Sequence, residues 1–100
     1  MDKKFLEFEK WYLNKRTKWG KVGIVVDKAG LEEQGHQYLI KLHSQNGIGH
    51  IVLNKDNGHY KVDFKDANYD YDVMFLRSGI EFNRTDLDTY ESEFINHILN

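Results

Sequence analysis

Apolar side chains recur every three or four positions at both ends of the chain, which is the spacing of one face of an α-helix. The pattern predicts a first helix over residues 2–16, with Gly20 closing the region. It predicts a last helix over residues 85–99, for which Thr85 can serve as the N-cap. The apolar positions of the two helices are Phe5, Phe8, Tyr12, Leu87, Tyr90, Phe94 and Ile98. Leu6 and Leu13 are predicted to widen the apolar face of the first helix, and Trp11 is predicted to lie at its margin.

Between these helices the hydrophobic period changes to two, the spacing of half-buried strands. Short turns separate successive strands, and this favours antiparallel neighbours. One strand face is aromatic and aliphatic while the other is polar, as in a sheet that is covered on one side only. The predicted strands are residues 21–27, 36–43, 48–53, 59–65 and 69–76, with a glycine-containing loop over residues 28–35. On the last strand the alternation places Tyr69, Tyr71, Val73 and Phe75 on the apolar face and Asp70, Asp72 and Met74 on the polar one.

These elements predict an α+β fold for the whole chain: an antiparallel β-meander of about five strands, with the N- and C-terminal helices packed on one face. At 100 residues the chain has room for one domain, over residues 1–100, and for no deep substrate cavity. It has no cysteine, which excludes disulfides and thiolate metal sites. With no signal-like start and no long apolar stretch, we expect a cytoplasmic protein without a membrane partner.

Charge is distributed unevenly along the chain. Residues 1–28 hold eight Lys or Arg and four Asp or Glu, so 8 − 4 gives +4. Residues 56–100 hold four Lys or Arg and ten Asp or Glu, so 4 − 10 gives −6. An acidic end on a small domain steers basic partners toward it.

Carboxylates and aromatic side chains are mixed in this acidic half. Aromatic side chains provide anchor area at protein interfaces, and charges provide steering and register. We therefore predict a protein-binding surface that fits a basic groove, such as the RNA-binding cleft of a nuclease. Its candidate residues are Asp63, Asp66, Asp70, Tyr71, Asp72, Met74, Glu81, Phe82, Asp86 and Asp88.

Catalytic and metal chemistry find little support. His43 and His50 could be neighbours across a hairpin, with Asp63 as a third ligand, but two imidazoles alone make a weak site and surface histidines are the simpler interpretation. No serine lies in a nucleophile elbow. Asp70 and Asp72 have the spacing of a carboxylate pair on one strand face, without a sugar-sized cleft. We predict no enzyme, no catalytic residue, no metal and no cofactor.

The basic run Lys15-Arg16-Thr17-Lys18-Trp19 leaves a nucleic-acid alternative open. Cations at a helix C-terminus also complement the helix dipole, so a solvated helix end is the simpler interpretation. The acidic second half would repel phosphates. We therefore expect no direct nucleic-acid partner.

Three segments of the chain are similar to parts of a known family. They are the opening Phe-Leu-Glu-Phe-Glu-Lys-Trp-Tyr helix (residues 5–12), the hairpin from Gly47 to Phe64, and the acidic-then-apolar closing helix (residues 85–99). Together they resemble the TriTu-type immunity proteins of bacterial contact-dependent growth inhibition. The chain departs from such proteins at Leu53, where a tryptophan is expected.

The resemblance implies a protein that binds and neutralises the cognate toxin, a transfer-RNA-cleaving nuclease domain that associates with elongation factor Tu. That factor would then be a further partner within a ternary complex. The alternative is a small non-enzymatic adaptor or regulatory domain, possible also as a homodimer through an exposed edge strand. Gene context separates the two, because an immunity gene follows a long toxin gene.

Overall fold

A computed structural model describes residues 2–55, 58–79, 81 and 84–99, with the backbone alone at Arg84. The five strands form one sheet in the order β1-β2-β3-β4-β5, and every neighbouring pair is antiparallel. The α+β meander with a helix at each end is therefore confirmed. Its elements are α1 (Lys3–Lys21), β1 (Val25–Glu32), β2 (Gln37–Ser44), β3 (Gly47–Asn54), β4 (Tyr60–Asp66), β5 (Asp72–Gly79) and α2 (Arg84–Leu99).

The hydrophobic core lies between the two helices and one face of the sheet. Alternate residues of β2 point into it, so that Tyr38, Ile40 and Leu42 are all buried. Gly49 of β3 leaves room for Phe94 of α2, because a Cβ there would lie 2.4 Å from Cζ of Phe94. The core residues are Phe5, Phe8, Trp11, Tyr12, Trp19, Ile24, Tyr38, Ile40, Leu42, Ile51, Leu53, Tyr60, Val62, Phe64, Phe75, Leu87, Phe94 and Ile98.

Helix α1 is longer than the sequence predicted. Asp2 caps its start by accepting a hydrogen bond from the backbone N–H of Lys4 at 2.8 Å. The helix does not end at Gly20 but continues to Lys21. A glycine inside a helix costs only about 1 kcal/mol, and burial of Trp19 in the last turn outweighs that cost. Gly23, at φ +92°, reverses the chain after the helix.

Strand β1 begins and ends later than predicted. Residues 28–35 were expected to form a loop, but Lys28 to Glu32 pair with β2 as far as Gln37. The turn therefore moves to residues 33–36, where Glu33, Gln34 and Gly35 adopt positive φ. Cross-strand pairing with β2 decides the strand here, against the local signal of two glycines.

Strand β5 is also displaced, by three residues. A short 3₁₀ turn occupies Ala67–Tyr69. The prediction that Tyr69, Tyr71, Val73 and Phe75 share one buried face is wrong, because Phe75 alone among them is buried. A β-bulge explains part of the change: Phe64 pairs with Phe75 and Lys65 with Val73, leaving Met74 as the extra residue.

Two carboxylates of α2, the exposed Asp88 and the buried Glu91, join the two helices. Nε1 of Trp11 donates to Asp88 at 2.7 Å, and Nε1 of Trp19 donates to Glu91 at 3.0 Å. Glu91 is 1% exposed and also pairs with Lys18 at 3.2 Å. Trp11 is thus a core residue, although the sequence placed it at the margin of the helix face. The indole N–H groups have their partners, which is what burial of a tryptophan requires.

Helix α2 begins at Arg84, one residue earlier than predicted, so that Thr85 lies in its first turn and is not the N-cap. The apolar positions predicted for the two helices are buried only in part. Leu87, Phe94 and Ile98 are buried, and Tyr90 packs at the edge of the core. Leu6 and Leu13 of α1 were expected to widen its apolar stripe, but they are exposed.

Candidate protein-binding surface

The side of the sheet away from the helices, called here the open face, carries two histidine–carboxylate pairs. Nδ1 of His43 donates to Asp27 at 2.8 Å, and Nδ1 of His50 donates to Asp63 at 3.0 Å. His43 and His50 are not cross-strand partners, since His43 is paired with Ile48. Each imidazole is thus held by its own carboxylate.

Asp63 is the most buried charge of the open face, at 6% exposure. Burial alone would raise its pKa. The hydrogen bond from His50, with the charges of His50, Lys61 and Lys65, outweighs burial and lowers the pKa of Asp63 below its ordinary value of 3.8. A carboxylate already satisfied by its neighbours is a poor anchor for a partner, so Asp63 acts within the sheet.

Three predicted carboxylates and a predicted tyrosine gather where β4 turns into β5. Asp66 ends β4 and accepts from the backbone N–H of Asn68 at 2.8 Å. Asp70 and Tyr71 follow in the left-handed conformation, at φ +59° and +62°, and Asp72 opens β5. Asp70 and Asp72 do not share a strand face, because Asp70 precedes the strand. Together with Tyr69, these four residues are called the acidic turn.

Both tyrosines of the acidic turn are exposed, Tyr69 at 59% and Tyr71 at 52%. Tyr71 also lines a shallow cavity of about 310 Å³ on the open face, beside His43, Ile48 and Ala67. Exposed aromatic rings next to carboxylates are what a protein interface uses as anchors and steering charges. The acidic turn therefore has the composition of a docking surface.

The remaining predicted residues do not join the acidic turn. Asp88 is engaged by Trp11 and by Lys15 at 3.1 Å, so that it holds the helices together. Asp86 lies near Tyr60, whose pKa is raised to about 12 by burial, and further by Tyr90 and Asp86. Tyr60 pairs with the far end of β5, the end opposite the acidic turn.

Glu81 is exposed just beyond that same far end of β5. Phe82 lies outside the described residues. Met74 is exposed on β5, near the acidic turn. The predicted set is therefore divided among the two ends of the sheet, its open face and the contact between the helices, and does not form one continuous acidic surface. Local sequence proximity brought Asp66, Asp70 and Asp72 together, whereas helix packing carried Asp86 and Asp88 away.

The basic run of α1 is largely committed to the fold. Lys15 pairs with Asp88 and Lys18 with Glu91. Trp19, which would have to stack on a base, is fully buried. Of the five residues that suggested a nucleic-acid site, these three thus serve the contact between the helices.

Among the described residues, no group of three or more His, Asp or Glu side chains is arranged to hold a metal ion. The trio suggested by the sequence does not assemble, because Asp63 meets His50 while His43 meets Asp27. In the same part of the chain, neither helix combines the length and apolar character needed to cross a bilayer.

Strand β5 carries exposed apolar side chains that sequence reasoning assigned to the core or to the polar face. Val73 is 52% exposed, Met74 44% and Leu76 51%. The sequence did contain a signal for this exposure. The last strand of a meander is an edge strand, and here it contains four consecutive apolar residues, Val73-Met74-Phe75-Leu76. The β-bulge changes which side chains of this run face outward, and the alternation of apolar and polar positions along the sequence does not predict a bulge.

Comparison with protein-family models, with curated proteins and with solved structures gives no match for this chain. Function is therefore inferred from the surface of the molecule and its chemistry.

Proposed function

We propose that this chain is an immunity protein that binds and neutralises a toxin nuclease domain, and that its acidic turn contacts the basic surface of that toxin. The observation that carries the proposal is the gathering of Asp66, Asp70 and Asp72 with two exposed tyrosines at one end of the sheet. A nuclease must present cations to the phosphates of its RNA, so carboxylates are the matching chemistry on an inhibitor.

The turn is well suited to hold its side chains in place before a partner arrives. Asp66 is fixed by its bond to Asn68, and the backbone N–H of Tyr71 donates to the carbonyl of Asp66 at 2.9 Å. A preorganised surface loses less side-chain and loop entropy on association. A smaller loss of entropy favours tight binding by a small domain.

The resemblance of the opening helix, the central hairpin and the closing helix to TriTu-type immunity proteins supports the choice of a toxin as partner. The proposed toxin is a transfer-RNA-cleaving nuclease domain that works with elongation factor Tu. The proposed compartment is the cytoplasm, where such a toxin meets its substrate. Elongation factor Tu would enter as the third member of the complex.

The test is to purify the product of the adjacent toxin gene and measure its binding to this chain by calorimetry. We expect nanomolar affinity for the unaltered chain. The double variant Asp66→Asn/Asp70→Asn should bind at least about 10-fold more weakly, equivalent to about 1.4 kcal/mol. Asparagine can keep the cap at residue 66, and it tolerates the left-handed backbone at residue 70.

The matched control is Glu7→Gln/Glu33→Gln, which removes the same number of charges from exposed positions on α1 and on the turn before β2. It should leave affinity within about 2-fold, since charges remote from an interface change binding little. Equal affinity for the two double variants would refute a role for the acidic turn. Absence of binding by the unaltered chain would refute the toxin as partner.

A further inference from the structure

The two edge strands of the sheet are protected to different degrees. An edge strand exposes unpaired backbone N–H and C=O groups, and charged side chains normally keep other strands away from it. Strand β1 carries Asp27, Lys28 and Glu32, and Lys28 forms an ion pair with Glu32. Strand β5 has charged residues only toward its ends, at Asp72 and Arg77. Its middle is the exposed apolar run described above.

The β-bulge fixes which side chains of β5 share a face. Arg77 is the cross-strand partner of the buried Val62, and its guanidinium carbon lies 4.7 Å from the ring centre of the buried Phe75. Arg77 therefore lies on the helix side of the sheet. Asp72 pairs with Asp66, two residues beyond the buried Phe64, and shares that side.

Two other residues of β5 take the open face. Val73 pairs with Lys65, and Leu76 pairs with Asp63, which both lie on the open face. Met74 is the extra residue of the bulge. Without the bulge, Asp72 and Val73 would each lie on the opposite face, while Phe75, Leu76 and Arg77 would keep theirs.

This arrangement is complementary to itself. When two copies of β5 run antiparallel about a two-fold axis, one register places Asp72 opposite Arg77 of the other copy, twice. The same register places Val73 opposite Leu76, also twice, on the open face. A slip by one residue sets Val73 opposite Arg77 or Phe75, which lie on the other face, so it loses both the ion pairs and the apolar pairs.

We propose that β5 pairs antiparallel with β5 of a second copy of this chain, joining two five-stranded sheets into one. Asp72 has no ion-pair or hydrogen-bond partner among the described residues, and it is exposed. Arg77 uses Nε for Glu93 and Nη1 for the backbone carbonyl of Leu76, which leaves three of its five guanidinium N–H donors for a second carboxylate. One strand seam buries little surface, so the dissociation constant should be roughly micromolar.

The pairing engages Asp72 of each acidic turn and leaves Asp66, Asp70 and the two tyrosines open to a partner. In this register residue 70 lies opposite residue 79 of the other copy, so the two turns are separated by roughly 30 Å along the seam, at about 3.3 Å per residue. The inference does not rest on the proposed function, because it concerns the chain alone.

The test is sedimentation equilibrium of the full chain from about 1 µM to about 500 µM. The average mass should rise from 11.9 kDa toward twice that value. Leu76→Lys should raise the dissociation constant at least about 10-fold, because it places a charge in the seam. Val25→Lys is the matched control: Val25 is equally exposed on the open face, but on β1, and should leave dimerisation unchanged.

A charge exchange tests the register. Asp72→Lys alone should be monomeric, because its lysine would meet Arg77 of the other copy. Arg77→Glu/Glu93→Lys should also be monomeric, because its glutamate would meet Asp72; the second substitution keeps an ion pair with α2, with the charges exchanged. An equimolar mixture of the two should dimerise, since the lysine introduced in one chain then meets the glutamate introduced in β5 of the other. A monomer at every concentration would overturn the proposal, as would a dimer weakened by Val25→Lys and not by Leu76→Lys. A mixture that stays monomeric would overturn the register.

Discussion

At the scale of single residues, the buried charges of this protein are explained by their neighbours. Glu91 satisfies the indole N–H of Trp19 and the ammonium of Lys18 between the helices. Asp63 is held by His50 on the open face. A buried carboxylate without such partners would be strongly destabilising. The two positions therefore contribute to the fold, and a binding partner would have to break existing bonds to use them.

Asp63 predicts a specific dependence of stability on pH. Its folded-state pKa is lower than its ordinary value of 3.8, so the ionised form stabilises the fold above about pH 4. That contribution is lost as pH falls through the folded-state pKa. Asp63→Asn should therefore flatten the decrease in the free energy of unfolding between about pH 5 and pH 2.5, measured by urea titration at several pH values.

The control for this prediction is Asp27→Asn. Asp27 makes the equivalent pair with His43, but both side chains are substantially exposed, at 37% and 44%. Exposed pairs contribute little to stability, so this variant should keep a pH dependence close to that of the unaltered chain. If Asp63→Asn kept the same slope as the unaltered chain, the account of its pKa would be wrong.

At the scale of elements, the position of α2 on the sheet depends on the absence of a side chain at Gly49. An added Cβ would lie 2.4 Å from one ring carbon of Phe94 and 2.9 Å from Cδ1 of Leu42. Phe94 is fully buried, so its ring has little freedom to move aside. The glycine thus sets how closely the helix approaches the centre of the sheet.

Gly49→Ala should lower the free energy of unfolding by about 1–3 kcal/mol, the usual cost of overpacking a core. Gly30→Ala is the matched control, because Gly30 also lies in a strand but a Cβ there meets nothing within 4 Å. Gly30→Ala should leave stability unchanged or raise it by up to about 1 kcal/mol. Equal stability of the two variants, measured by urea unfolding with tryptophan fluorescence, would contradict this account of the helix contact.

At the scale of the whole molecule, the charge is segregated but not in the way the linear sequence suggests. The excess of cations in residues 1–28 is partly neutralised by α2, through Lys15–Asp88 and Lys18–Glu91. The carboxylates of the acidic turn have no comparable cation pairs among the described residues. The acidic turn is therefore the part of the acidic half that can act on a distant partner.

This arrangement predicts how association should respond to salt. The rate constant for binding of the proposed toxin should fall as NaCl rises from about 50 to about 500 mM, because ions screen long-range attraction. Asp66→Asn/Asp70→Asn should reduce that dependence in stopped-flow measurements, while Glu7→Gln/Glu33→Gln should preserve it. A salt dependence that is identical in both double variants would place the steering charge elsewhere.

The sequence by itself determined the element types, their order and the buried alternation of the central strands. Hydrophobic period is a local property, and Tyr38, Ile40 and Leu42 follow it directly into the core. The tight connections of the meander likewise follow from short-range signals. The acidic turn was within reach of sequence reasoning for the same reason, since Asp66, Asp70 and Asp72 lie within seven residues of each other.

Only the tertiary structure decided where α1 ends, where the strands at both edges begin, and which carboxylates remain available. Trp19 extends the helix because it enters a core made by distant residues. Asp88 stays exposed, but it is engaged within the fold by Trp11, which lies 77 positions away in the chain. The bulge at Met74 arises from pairing with β4 and reverses the faces of β5. Such features depend on contacts between distant segments, which no local pattern encodes.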